Sequence, residues 1–180
     1  MTATINSIKT LYQGKVFSLV AENVTLDNEV TTDIEYIQHP GATAIIPMLD
    51  RTHVILIKQY RHALKKEIWE IPAGTLDPQE SVIACAQREL IEETGFSADR
   101  WHNLGEIMPV PGYSNERIHI FLAAGLQSAE RNLDEDEIID VHEIEFETTL
   151  DMIRRGDIQD AKSISGLFMA SEWLKENGKS

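Results

Sequence analysis

The alternation of apolar and polar residues predicts strands along roughly the first 125 residues. Residues 30–36 and 117–122 place apolar side chains on one face and mainly polar side chains on the other. Residues 42–46 and 54–57 are instead continuous apolar runs, which is typical of strands covered on both faces. We therefore expect these two runs at the centre of a sheet.

The N-terminal part of the chain, residues 1–40, predicts further strands. A strand within 16–24 is expected to pair with 30–38 across a turn at Asp27-Asn28. The 180 residues are enough for one domain with a sizeable core, so we expect a single domain over 1–180.

Three helices interrupt or follow these strands. Asp77-Pro78-Gln79-Glu80 is a start signal and Thr94-Gly95-Phe96 a stop signal, which predicts a helix over 78–94. A short helix is expected over 148–155, ending near Gly156. A later helix has a stripe of apolar residues that we expect to face the core: Ala161, Ile164, Leu167, Phe168 and Leu174. This order of elements favours an α/β fold, with a mixed sheet and helices on both sides.

The charge of the chain limits its partners. Asp and Glu number 30 and Lys and Arg 16, so the formal net charge is −14. Such a surface argues against nucleic acid or anionic lipid as a partner, because both require a basic face. No apolar run is long enough to span a membrane, no secretory signal is visible, and Cys85 is the single cysteine. We therefore expect a cytoplasmic protein without membrane or nucleic-acid partners.

Three carboxylates are clustered on the first predicted helix. Glu89, Glu92 and Glu93 are three or four residues apart, so they share one helix face. A solvated face is the ordinary explanation of such a cluster. The alternative is an all-oxygen site for a hard cation such as Mg²⁺ or Mn²⁺.

The spacing around this cluster favours the metal site. The segment 74–96 has fixed residues at defined intervals, namely Gly74, Glu80, Arg88-Glu89-Leu90, Glu92-Glu93 and Gly95-Phe96. This pattern resembles the box of the Nudix hydrolases. The resemblance implies the Nudix fold, an α/β/α sandwich with a mixed sheet and a loop–helix–loop catalytic box, here with additional N-terminal β-strands.

The resemblance also implies roles for individual residues. Glu89, Glu93 and the Ala73 carbonyl match metal ligands for Mg²⁺, for which Mn²⁺ is a substitute. Glu92 matches a catalytic residue that assists the metal ligands through water or a further ion. Four residues of the box are expected to have structural roles: Gly74, Glu80, Arg88 and Gly95.

The sequence on either side of the box resembles one subgroup of the family. Gln59-Tyr60-Arg61 and residues 68–74 are similar to segments of ADP-ribose pyrophosphatases and related nucleotide-sugar hydrolases. This similarity implies that Arg61 binds the diphosphate of the substrate and that Glu70 contacts its nucleobase. Pro111, sixteen residues after Gly95, is typical of the same subgroup. Ser114 and Glu116, which follow it, are further candidates for substrate binding.

An acidic segment at 133–137 resembles a loop that carries the general base in these enzymes. When the strand that follows this segment is aligned with the same enzymes, Glu135 matches the general base and Glu137 matches a further metal ligand. The register of this match leaves Asp134 and Asp136 as alternatives. A base separate from the metal ligands is chemically reasonable, since coordination lowers the pKa of a carboxylate and weakens it as a proton acceptor.

The resemblance implies a Mg²⁺-dependent pyrophosphatase that hydrolyses ADP-ribose, or a related nucleoside diphosphate sugar, to a nucleoside monophosphate and a sugar phosphate. A GDP-mannose or broad-specificity nucleotide-sugar hydrolase is the alternative enzyme. An ADP-ribose-binding sensor without catalysis is the alternative from another class. Enzymes of this kind are often homodimers whose N-terminal strands cross to the partner, so we expect residues 1–40 to serve as a dimerisation element.

Overall fold

The computed structural model describes residues 2–133 and 138–177. The chain forms two compact units, which we describe one at a time. The first contains the residues up to Gly41 together with Met108–Arg117, and the second contains the remainder. The single domain expected over 1–180 stays a prediction. None of the described helices has the length and apolar character needed to cross a membrane.

The first unit is built on a three-stranded antiparallel sheet. Its strands are β1 (Ala3–Gln13), β2 (Ser18–Leu26) and β3 (Thr31–Gln38), in that spatial order. The pairing of β2 with β3 confirms the predicted hairpin, and β1 is a further strand within residues 1–40. Every residue of β1 is exposed, including apolar side chains such as Ile5 and Ile8. This strand therefore presents unburied apolar surface within its own unit.

In its described part the second unit contains a seven-stranded sheet. The strands are β4 (Ala42–Met48), β5 (His53–Arg61), β6 (Lys66–Glu70), β7 (Ala73–Thr75), β8 (Phe96–Ile107), β9 (Ile118–Ser128) and β10 (Ile139–Glu145). The main order is β10-β5-β4-β9-β8, with β6 paired to β5 and β7 paired to β4. The pair β4–β9 is parallel and its neighbours are antiparallel, which confirms the mixed sheet. The two continuous apolar runs are the buried strands β4 and β5, as predicted.

Helices cover both faces of this sheet. They are α1 (Val82–Thr94), α2 (Phe146–Arg155) and α3 (Ala161–Asn177). In β4, Ile45 packs in one apolar cluster with Leu90 of α1, whereas Ile46 belongs to another cluster with Leu167 of α3. Successive side chains of a strand point to opposite faces, so the two clusters lie on opposite sides of the sheet. The predicted α/β/α arrangement is confirmed.

The start of α1 differs from the prediction. The helix begins at Val82, because Ser81 is the residue that caps it and accepts a hydrogen bond from the Ala84 N–H at 3.3 Å. Gln79 has a φ of 69°, a left-handed conformation that no helical residue adopts, so Pro78 belongs to a turn. The predicted end is confirmed, since Gly95 has a φ of 73° and its N–H donates to the Ile91 carbonyl.

The core face of α3 also differs in two positions. Phe168 is 49% exposed and Ala161 is exposed as well, so the prediction that these two residues face the core was wrong. The buried residues of α3 are Ser163, Gly166, Leu167, Ala170 and Ser171, and all of them except Leu167 are small. At Gly166 a Cβ would lie 2.9 Å from Cδ1 of Ile71, so the helix backbone packs closely on the residues below it.

Candidate active site

The site is formed where α1 packs beside β7. Glu93 is 2% exposed, and its Oε2 accepts a hydrogen bond from the Ala73 N–H at 2.9 Å. Glu89 is 9% exposed and lies against Gly74, where an added Cβ would be 1.8 Å from its carboxylate carbon. Only glycine leaves room for this approach. The shared helix face of the two glutamates is therefore directed toward β7 rather than toward bulk solvent.

Arg88 connects the glutamates of the box. Its Nη1 donates to Glu89 Oε1 at 2.7 Å and to Glu92 Oε2 at 2.9 Å. Its Nε and Nη2 donate to the carboxylate of Glu80 at 3.0 and 2.9 Å, and Nη2 donates to the Thr75 carbonyl at 3.3 Å. These bonds hold the pKa of Glu80 down to about 2, while Glu80 above all raises the pKa of Arg88. Arg88 thus offsets the repulsion among carboxylates that share one face.

The donors at this site fit a hard divalent cation. The Glu89 and Glu93 carboxylates and the Ala73 carbonyl are oxygen donors, the type that Mg²⁺ and Mn²⁺ prefer. Within 2–133 and 138–177, no three His, Cys, Asp or Glu side chains are grouped so that they could hold a metal ion. Among the described residues, the Ala73 carbonyl is a candidate for a further oxygen ligand beside the two glutamates. The Glu135 and Glu137 assignments, and the alternatives Asp134 and Asp136, lie outside the described residues.

A second group of charges surrounds Glu70, at the end of β6. This side chain is 1% exposed, and Arg61 binds it in a bidentate manner, with Nε at 2.7 Å from Oε1 and Nη2 at 2.8 Å from Oε2. Lys162 of α3 pairs with the same Oε2. Burial by itself would raise the pKa of Glu70, but Arg61 and Lys162 outweigh burial and lower it. Glu70 is therefore an ionised carboxylate that pairs with two cations. Its contact with the nucleobase of the substrate stays a prediction.

The segment between β6 and β7 is held by both helical layers. The Ile71 N–H donates to Ser163 Oγ of α3 at 2.9 Å, and the Ala73 N–H donates to Glu93 of α1. Between them, the Pro72 carbonyl accepts from the Ile45 N–H of β4 at 2.8 Å. The backbone in front of the box is thus fixed from three directions, which sets the position of Ala73 and Gly74.

Sequence reasoning missed three residues of this region, namely Arg131, Lys162 and Ser163. Arg131 donates from Nε to the Glu93 carbonyl at 2.7 Å and from Nη2 to the Ile139 carbonyl at 2.8 Å. It therefore ties the last turn of α1 to the first residue of β10. These residues act across 8 to 92 positions of the sequence, and no local motif marks them.

The other substrate candidates lie in different places. Arg61 shares the second unit with Glu89 and Glu93. Its hydrogen bonds to Glu70 raise the pKa of Arg61, burial opposes this rise, and the negative charges of Glu70 and Glu93 add to it. Ser114 and Glu116 lie in the first unit, where the Glu116 N–H donates to Ser114 Oγ at 3.1 Å. The roles predicted for these three residues stay predictions.

Comparison with known proteins gives a family match and close relatives. Residues 38–166 match the family described as NUDIX domain. An ADP-ribose pyrophosphatase of Bacillus subtilis (strain 168) is 38% identical over 155 residues, which cover 85% of this chain and 84% of that protein. A methanol dehydrogenase activator of Bacillus methanolicus is 37% identical over 162 residues, or 88% of each chain. A solved structure named as an ADP compounds hydrolase superposes with a TM-score of 0.87 at 28% identity, covering 100% of this chain and 98% of that one.

Proposed function

The chain belongs to the Nudix family, and on that premise we propose that it is a divalent-metal-dependent pyrophosphohydrolase whose substrate is ADP-ribose. The observation that carries the proposal is the pair of buried carboxylates, Glu89 against Gly74 and Glu93 on the Ala73 N–H. The ADP-ribose pyrophosphatase of Bacillus subtilis supports this choice of substrate, because the similarity extends over most of both chains.

The reaction adds water to the diphosphate of ADP-ribose and gives AMP and ribose 5-phosphate. Glu89, Glu93 and the Ala73 carbonyl would hold Mg²⁺, with Glu137 as a further ligand and Glu92 acting through water. When bound, Mg²⁺ supplies positive charge to the diphosphate oxygens and lowers the pKa of a coordinated water. Arg61 binds the diphosphate by charge-assisted hydrogen bonds. Glu135 accepts the proton from the attacking water.

Formation of the nucleoside monophosphate from a panel of substrates, followed by chromatography, tests this function. The purified protein is incubated with ADP-ribose, GDP-mannose and ADP-glucose, each with Mg²⁺, with Mn²⁺ and with EDTA. We expect the highest kcat/KM for ADP-ribose with Mg²⁺ and loss of turnover in EDTA. Equal turnover in EDTA would refute the metal mechanism. A preference for GDP-mannose would favour the alternative enzyme, and binding of ADP-ribose without turnover would favour the sensor.

A substitution in the acidic segment tests the proposed base. Glu135→Gln keeps the shape of the side chain but cannot accept a proton, so we expect kcat to fall by about 10²–10⁴-fold. The affinity for Mn²⁺, measured by calorimetry, should stay near the wild-type value. Asp134→Asn and Asp136→Asn are the matched controls. A larger loss in either control than in Glu135→Gln would move the base to that position.

A homodimer built through the N-terminal strands is the assembly we propose. It is supported by β1, whose apolar side chains are exposed at one edge of its sheet. Light scattering after size-exclusion chromatography should give twice the chain mass of 20.3 kDa. A mass equal to one chain would refute the dimer. A cytoplasmic location also stays a prediction.

A further inference from the structure

Two cations from distant parts of the chain meet at the buried Glu70. Arg61 reaches it from β5 and Lys162 reaches it from the first turn of α3, and these cations together engage both oxygens of the carboxylate. The Lys162 side chain is 14% exposed, which is unusual for lysine. A lysine in such a place costs solvation and side-chain entropy, so the contact needs an explanation beyond surface charge.

The charges around Glu70 explain why Arg61 alone would attract an anionic diphosphate only weakly. Arg61 and Glu70 alone are a neutral pair, and an arginine balanced by its own carboxylate attracts an anionic diphosphate weakly. Lys162 brings a second positive charge to the same carboxylate. Asp160 also contacts Lys162, at 3.3 Å, but its Oδ2 accepts the Ser163 N–H at 2.9 Å, so part of its charge is offset by the N-terminus of α3.

The geometry of Arg61 leaves donors available for a ligand. The guanidinium uses Nε and Nη2 for Glu70, and among the described residues its Nη1 makes no hydrogen bond. The Arg61 side chain is 40% exposed, although its partner Glu70 is buried. A guanidinium that is fixed on one side and open on the other suits bidentate recognition of phosphate.

We propose that Lys162 is a positioning residue of the substrate site, which neutralises the buried Glu70 so that Glu70 orients Arg61 without cancelling its charge toward the diphosphate. This inference rests on the proposed function, because it concerns how the substrate of that reaction is held. Lys162 does not touch the substrate in this scheme and acts through Glu70.

Steady-state kinetics of four variants with ADP-ribose and Mg²⁺ test this role. Lys162→Met is expected to raise KM about tenfold, because part of one charge-assisted hydrogen bond to the diphosphate is lost. The same substitution should change kcat less than threefold. Lys162→Arg should restore KM to within about threefold of wild type, since it keeps the charge. In a Glu70→Gln background, Lys162→Met should leave KM unchanged, because a residue that acts through Glu70 loses its effect when that charge is absent. The dissociation constant of α,β-methylene-ADP-ribose, measured by calorimetry, should follow KM.

The matched control is Lys66→Met. Lys66 is exposed on β6, and its Nζ donates to Gln159 rather than to Glu70, so KM should not change. A KM for Lys162→Met within twofold of wild type would overturn the proposal, and so would equal effects of Lys162→Met with Glu70 present and absent. If Lys162→Met does not fold, Lys162→Gln, which also removes the charge, takes its place with Glu70 present and absent. A wild-type protein inactive on every nucleotide sugar would refute the proposed function itself, whereas an active wild type with unchanged variants refutes only the role of Lys162.

Discussion

Replacing Gly74 by alanine separates the stability of the fold from the geometry of the site. The new Cβ would lie 1.8 Å from the Cδ and Oε1 atoms of Glu89, whereas ordinary van der Waals contact begins at 3.4 Å. The carboxylate must therefore withdraw by about 1.6 Å, and a misplacement of about 1 Å in a catalytic group costs about 10²-fold in rate. We expect kcat/KM for ADP-ribose to fall at least 100-fold by this estimate.

The same substitution should cost little stability. The atoms in the way are the end of a flexible side chain, and alanine reduces the entropy of the unfolded chain, so we expect the free energy of unfolding to change by less than about 1 kcal/mol. The assays are AMP formation from ADP-ribose as a function of Mg²⁺ concentration, and urea unfolding. Gly112→Ala is the matched control, because no atom lies within 4 Å of its added Cβ. Activity of Gly74→Ala within threefold of wild type would refute the reasoning, as would a loss of activity that follows unfolding.

Three further substitutions test the site and its support. Glu93→Gln should lower kcat by about 10³-fold, since it removes a charge that holds the metal, with an unchanged circular dichroism spectrum; a loss below tenfold would contradict this. The pKa of Glu80 lies at about 2 instead of 4.5, so its ionisation stabilises the folded protein above pH 4.5, and this stability is lost as the pH falls toward 2. Urea midpoints of wild type and Glu80→Gln should therefore differ at pH 7 and converge between pH 4.5 and 2, whereas a constant difference would contradict the assignment. Gly166→Ala places a Cβ 2.9 Å from Ile71, an overpacking that costs about 1–3 kcal/mol and exceeds the gain in helix propensity, so calorimetry should show a lower Tm.

Local sequence determined the elements whose signals lie within a few residues. The end of α1 was predicted because a glycine in the left-handed conformation is a local requirement, and Gly95 has a φ of 73°. The hairpin of β2 and β3 followed from alternation and a turn between the strands. The predicted start of α1 was wrong because two start signals lie close together in the sequence. Asp77 and Pro78 form a standard start signal, but Glu80 pairs with Arg88 eight residues later, and Ser81 caps the helix instead.

The sequence by itself also determined the family and the box, since the spacing of glutamates on one helix face is a property of the helix alone. Only the tertiary structure decided what those glutamates face. The approach of Glu89 to Gly74, the bond from Ala73 to Glu93 and the contact of Lys162 with Glu70 join residues 15, 20 and 92 positions apart. Hydrophobic periodicity specifies which side of each element is buried, but it does not specify which distant residue meets it there. That choice is made when the two helical layers pack on the sheet and bring the box, Arg61 and α3 to one segment of backbone.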